Sequence, residues 1–264
     1  MTEKAYETLL LDRPREHVLR IALNRPEVGN ATNTKMGEEL FELFRQFYVD
    51  FTAARCIVLT GTGKLFCGGG DLKERQGMTD ATWQRQHAIF EQAFMAMIDC
   101  PIPVICAVNG HAFGGGTEMA LCCDFIYAAE GARLALPEVT RGILPGGMGT
   151  QNLPRACGPR RAKEIILAGQ PFTAAEGYEW GIVNKVCAPD KLMDEALATA
   201  AKIAENAPIS VRQAKKSIDR ATELDRKTGY MFEIEAYNRT VPTEDRHEGI
   251  NAFNEKRKPV FKGK

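Results

Sequence analysis

Two glutamates and two runs of glycine carry the chemistry that can be read from the letters. Glu118 lies two residues after Gly114-Gly115-Gly116, and Glu138 follows Pro137 on the return segment. The second run is Phe66-Cys67-Gly68-Gly69-Gly70-Asp71-Leu72. If both carboxylates face one substrate from the same side, they can hold a water and shuttle its protons, one as base and the other as acid. Glycine backbone lets a ligand approach closely. A helix starting behind Gly114-Gly115-Gly116 would add unpaired N–H groups and a positive dipole end, suited to a carbonyl oxygen as it gains negative charge. Such an anion hole needs two converging donors, and the two runs could supply one N–H each. The residues alone leave a plainer reading open, in which both runs are tight turns. A lone helical glutamate is usually a solvated surface residue, so neither carboxylate means much apart from its neighbours.

Competing chemistries fail on the same letters. A serine hydrolase needs Ser between glycines, yet the only serines are Ser210 and Ser217, both in a C-terminal helical stretch. A phosphate loop would end in Gly-Lys-Ser/Thr, whereas Gly61-Thr62-Gly63-Lys64 runs into Leu65. Neither glycine run has the dinucleotide spacing into a helix. Cys67 has no histidine near it in sequence and reads as an inert packed thiol. His111, just before the glycine triplet, reads more readily as a strand-end histidine bonded to backbone than as a general base. Asp124 reads as a residue that pins a turn.

These groups must be held by a scaffold. Short β-type runs at residues 7–11, 17–24, 56–60 and Val104–Val108 alternate with helical patterns at 34–51 and 81–98, and a further helix is expected at 117–123. That order predicts an α/β core of sheet layered with helices. The helix at 81–98, with Trp83, Gln84, Gln86, His87 and Phe90, is expected to line or cover the substrate's far end. After Pro189 the stretches 191–206, 209–226 and 229–240 all read as helices with no strand between them. The division expected is therefore a core over residues 1–190 and a helical C-terminal subdomain over 191–264, packed together because no flexible linker separates them.

Composition sets the outer bounds. With 264 residues, 44% hydrophobic and 26% charged, the chain can bury a full core. Lys+Arg and Asp+Glu both total 34, so nothing in the charge calls for a polyanion or a membrane surface. No stretch approaches the roughly 18 apolar residues of a membrane span, and charge interrupts every apolar run near the N-terminus. A cytoplasmic protein is expected, although a processed organellar one would look the same. The eight cysteines are scattered through apolar runs and read as buried free thiols, and none has zinc-knuckle spacing.

The letters also resemble a known family. Ala107 to Gly110 (AVNG), Gly114 to Glu118 (GGGTE), Cys123-Asp124, Leu136 to Val139 (LPEV), Gly142, Pro145-Gly146, Gly149 to Gln151 (GTQ) and Leu153 to Arg155 (LPR) fall in the order and spacing of the crotonase (enoyl-CoA hydratase/isomerase) family. The match extends from Leu23 to Pro26 (LNRP) and Asn30-Ala31 through Trp180 to Val183 (WGIV), to Ala252-Phe253 and Phe261 to Gly263.

The resemblance implies a spiral of repeated ββα turns with a helical C-terminal part, assembled as a homotrimer or a dimer of trimers. It implies an acyl-CoA thioester whose oxygen sits between two backbone N–H groups, here of Gly68 and Gly115. Glutamates at both catalytic positions, Glu118 and Glu138, imply a hydratase that converts a 2-enoyl-CoA to a 3-hydroxyacyl-CoA. No cofactor is implied beyond the coenzyme A that the substrate carries. CoA would lie along Val28 and Ala31 and the loop of Gly70, Asp71 and Leu72, with Phe253 and Lys256 closing over it. Two departures, Gly68-Gly69-Gly70 for the commoner Ala-Gly-Ala and Gly147-Met148 for a Gly-Gly pair, touch the acyl pocket or its floor. The alternatives are double-bond isomerisation, hydration followed by retro-aldol cleavage, or, in a different class, RNA binding, which salt-dependent binding would reveal.

Overall fold

The computed structural model describes residues 5–264, so the first four residues of the expected core lie outside it. Six strands form the main sheet in the order β1-β2-β3-β4-β6-β9. These are β1 (Leu9–Arg15), β2 (Val18–Leu23), β3 (Cys56–Gly61), β4 (Val104–Val108), β6 (Phe125–Ala129) and β9 (Lys185–Cys187). Only the β1–β2 pair is antiparallel. The short strands β5 (Ala112–Phe113), β7 (Arg133–Ala135) and β8 (Phe172–Thr173) make a second sheet.

The chain winds between these sheets. Each turn takes a strand through the main sheet, a short extended piece through the second, and then a helix. Isolated parallel bridges Thr32↔Gly70 and Cys67↔Ala112 tie one turn to the next beside the second sheet. This is the expected ββα spiral. The expected early strands form, but β1 runs on through Pro14, which the missing N–H tolerates because β1 is an edge strand.

Helices fill the space around the sheets. α1 (Thr34–Val49) is capped by the Asn33 side chain and buries Met36, Leu40, Leu43, Phe44 and Phe47 at helical spacing. α2 (Leu72–Arg75) is a single turn, and α3 (Asp80–Ile98) packs against α1. α4 (Gly115–Leu121) follows β5 directly. α5 (Gly149–Ala168) was hidden in a segment that reads as turn-rich: it contains Pro154 and Pro159, and Gly158 at φ 77° breaks it into two pieces. α6 (Ala174–Glu179) opens with a capping box between Thr173 and Glu176.

Residue alternation in the central strands gives the main sheet two buried faces. Leu59 and Ile57 belong to the core beneath α1 and α3, while Val58 and Cys56 face α7 (Leu192–Ala204) through Leu192, Ala196, Leu197 and Ala200. α7 therefore closes the outer face of the sheet, although a division at residue 190 assigns it to the C-terminal part. α8 (Pro208–Ala221), α9 (Arg226–Asn238) and α10 (Glu244–Asn254) complete the helical end, and α10 is an element that the sequence pattern does not reveal. Among the described residues no helix is long and apolar enough to cross a membrane. All eight cysteines are free.

Candidate active site

The two glycine runs meet because each lets the other's backbone come close. Gly114, between β5 and α4, sits at φ 53° and ψ −125°, a region essentially reserved for glycine. A Cβ on Gly116 would lie 2.3 Å from the Cys67 carbonyl oxygen, so no other residue fits where the runs cross. Thr117 locks the corner, its hydroxyl lying 2.7 Å from the Ala112 carbonyl oxygen and 2.8 Å from that of Ala135.

This contact places two backbone donors side by side. The Gly115 and Gly70 N–H groups have no acceptor among the described residues, and a Cβ built on Gly115 lies 3.8 Å from the Gly70 nitrogen. Gly68 does not fill the role expected of it. Its N–H donates to the Gly29 carbonyl at 2.9 Å, the bond that ties the loop to the turn before it. The second free donor is Gly70, two residues further on.

Glu118 and Glu138 both line one cavity of about 480 Å³ beside these donors. Glu118 reaches it from the first turn of α4 and is only 4% exposed. One of its oxygens, Oε1, accepts from the Gly147 N–H at 2.7 Å and the Gly149 N–H at 2.9 Å, which leaves Oε2 for a ligand. Glu138 sits in a 3-10 turn (Glu138–Arg141) that follows Pro137, with its Oε2 buried and unpartnered among the described residues. Burial raises the Glu118 carboxyl to about 7 against the pull of its two N–H donors, and the charge of Glu138 adds to the rise. Burial also raises Glu138. Two carboxylates that resist ionisation at one cavity can divide the roles of acid and base.

Other expected residues fall in different places. Leu72 lines the cavity, as do Trp83, His87 and Phe90 of α3. Gln86 is buried instead, and Gln84 is not in the wall. Phe94 joins the wall one turn further along α3, a position that the 83, 87, 90, 94 spacing marks in retrospect. Arg75, Arg141, Ile143 and Leu144 also line it and carry no motif.

Asp71 is not free to contact a ligand. Its carboxylate caps α2 through the Lys73 and Glu74 N–H groups and pairs with Arg25 at 2.9 Å, which hold it below the usual carboxylate range against the opposing effect of burial. Val28 and Ala31 flank the turn at Gly29 and lie outside the cavity wall, and the Ala31 carbonyl accepts from Arg25. Phe253 is 83% exposed and borders a separate hollow with Ile250 and Phe261, and neither it nor Lys256 reaches the cavity within one chain.

The rival candidates resolve as packing. His111 Nδ1 accepts from the Arg133 N–H at 3.1 Å and its ring stacks on Phe113. Asp124 accepts from the Val104 N–H at 2.6 Å and pairs with Lys215. Cys67 is fully buried, with its thiol pushed up by burial. Among the described residues no group of three or more His, Cys, Asp and Glu is placed to hold a metal.

Comparison with known proteins identifies the family and the fold. Residues 13–264 match the model of the enoyl-CoA hydratase/isomerase family. YngF of Bacillus subtilis, itself assigned only provisionally as an enoyl-CoA hydratase/isomerase, is 44% identical over 259 residues, which is 97% of this chain and 99% of its own. The human enoyl-CoA hydratase domain-containing protein 2, a mitochondrial protein by name, is 39% identical over 95% of this chain and 87% of its own. The crystal structure of an enoyl-CoA hydratase from Bacillus anthracis superposes with a TM-score of 0.95 at 42% identity, covering 98% of this chain and 100% of that one. The chain belongs to the enoyl-CoA hydratase/isomerase family and has the crotonase fold.

Proposed function

We propose that the protein adds water across the double bond of a 2-enoyl-CoA thioester to give a 3-hydroxyacyl-CoA, and catalyses the reverse. The observation that carries this reading is the pair Glu118 and Glu138 on one cavity, each with an oxygen free of protein partners. A one-carboxylate reaction such as double-bond isomerisation does not need the second.

In this reading the thioester oxygen accepts from the Gly70 and Gly115 N–H groups, which draws electrons from the double bond and makes C3 electrophilic. Glu118, held through Oε1, takes a proton from water with Oε2 as the water oxygen bonds to C3. The electron pair moves to the thioester oxygen as an enolate. Glu138 then delivers its proton to C2 as the enolate collapses. The pair holds one proton before and after turnover, since the proton gained by Glu118 replaces the one that Glu138 gave up. These steps call for no metal or redox group, and CoA arrives as part of the substrate. We further propose that the chain works as a homotrimer or dimer of trimers, in which Phe253 and Lys256 reach the CoA of a neighbouring chain.

Hydration in oxygen-18 water tests the chemistry. With an enoyl-CoA substrate, label should enter the 3-hydroxyacyl product in wild type, and Glu118→Gln and Glu138→Gln should each lower kcat by roughly two to four orders of magnitude. The double variant should be little worse than the worse single one, as for residues that act as a unit. A rearranged product without label, with one substitution nearly silent, would establish an isomerase instead.

A further inference from the structure

Gly70 and the guanidinium of Arg75 share a corner of the cavity. A Cβ added to Gly70 would stand 3.2 Å from Arg75 Nη1, tighter than ordinary packing, so the glycine at this position leaves the guanidinium its place. This gives a physical sense to glycine at position 70, which the proposed hydration chemistry uses only through its N–H.

Arg75 is held on three sides. Its Nε donates to Gln86 Oε1 at 2.8 Å. The Gln86 amide is itself fixed, donating to Thr34 Oγ1 at 2.8 Å and to Glu74 Oε2 at 2.7 Å. Its Cζ lies 4.3 Å from the Trp83 ring centre and 5.5 Å from that of Phe90. Nη1 and Nη2 take no hydrogen bond or ion pair among the described residues, and they belong to a side chain that lines the cavity. A half-buried, oriented guanidinium with two unused donors on its outer edge matches a planar oxyanion, which accepts two parallel N–H bonds. Burial disfavours the charged guanidinium, the neighbouring Glu74 carboxylate offsets part of that cost, and a docked oxyanion would offset more.

The position selects among anions. Arg75 stands against the side of Gly70 where a Cβ would be and against the α3 rings Trp83 and Phe90, on the wall of the cavity that holds both glutamates. Resting on the hydratase reading of that cavity, we infer that the acyl group of the substrate carries a second carboxylate, a few carbons beyond the thioester, which docks on the Nη1–Nη2 edge of Arg75. The substrate class is thus the CoA monothioester of an unsaturated dicarboxylic acid. Arg141 also lines the cavity, and its charge acts on Glu138.

The test compares two thioesters that differ only at the tail. Glutaconyl-CoA ends in a carboxylate, and its terminal amide is a neutral isostere. Wild-type kcat/KM should favour the acid by roughly tenfold or more, because a site built for a charged partner rejects the analogue lacking it. That ratio should fall to about one in Arg75→Met and to an intermediate value in Arg75→Lys, which keeps charge without the fork. Calorimetric binding of glutaryl-CoA and its terminal amide, neither of which can be hydrated, reads the same preference without chemistry.

Hydration of both unsaturated thioesters with no preference in wild type overturns this inference and leaves the hydratase reading standing. Preferential binding of glutaryl-CoA that depends on Arg75, without hydration of either unsaturated thioester, does the reverse. An equal loss for acid and amide in Arg75→Met would place Arg75 on the CoA moiety and overturn the assignment, as would a preference that survives the substitution. If Arg75→Met does not fold, the wild-type ratio and the Arg75→Lys variant decide.

Discussion

Gly147 and Glu118 are fitted to each other: the Gly147 N–H holds Glu118 Oε1 at 2.7 Å, and a Cβ on Gly147 would lie 2.9 Å from Glu118 Oε2. The same Cβ would come within 2.2 Å of the Phe94 ring. One glycine therefore orients a reactive carboxylate and leaves room for the cavity wall. Gly147→Ala should displace Phe94, cost about 1–3 kcal/mol of stability as overpacking does, and lower kcat at least several-fold by turning Glu118. Denaturant unfolding and steady-state rates check this, and wild-type values in both would show that the loop yields freely.

Burial of Glu118 also makes stability depend on pH. The folded chain keeps this carboxyl protonated up to about 7, whereas the unfolded chain releases the proton near the ordinary 4.5. The raised value thus favours the folded state below 4.5, and that contribution is lost as pH rises to 7. Glu118→Gln lacks the titration but retains an oxygen for the Gly147 and Gly149 donors. Its stability relative to wild type should rise between pH 4.5 and 8 by up to about 3 kcal/mol. Unfolding of both proteins across that range measures it, and a constant difference would mean that Glu118 ionises normally.

Gly115 opens α4 at the first helical position, which favours proline because its N–H has no intrahelical partner and its φ is already helical. Gly115→Pro should therefore keep the fold while deleting the donor, and lower kcat by about 10²–10³ with little effect on unfolding. Near-normal turnover in a folded variant would put the thioester oxygen elsewhere.

The exposed Phe253 gives a test of assembly. A ring 83% exposed on α10 has no packing role within the chain, so Phe253→Ala should leave monomer stability within about 0.5 kcal/mol. If a neighbour's CoA covers it, the variant should weaken CoA binding more than it slows turnover. Light scattering should return a mass of three or six chains. A monomer at micromolar concentration, or unchanged CoA affinity in the variant, refutes the shared site.

The sequence by itself determined a good part of this protein. Apolar runs such as Val104–Val108 and the helical spacing of Met36, Leu40, Phe44 and Phe47 define elements through local periodicity, and the structure has them where expected. The pairing of Glu118 with Glu138 was legible because both flank glycine or proline corners in a recurring order of letters. Tertiary structure alone decided which N–H groups remain free. Gly68 and Gly70 are alike as letters, and only the turn at Gly29, 39 positions before Gly68 in sequence, takes the first donor and leaves the second. Asp71 likewise reads as a ligand contact until Arg25 and the end of α2 are seen to occupy it. The cavity wall was least legible: Arg75, Phe94 and Gly147 come from three separate segments, and nothing local to any of them records the others. Hydrogen bonds and packing between distant segments satisfy or spare a polar group one at a time, and that assignment exists only once the chain has folded.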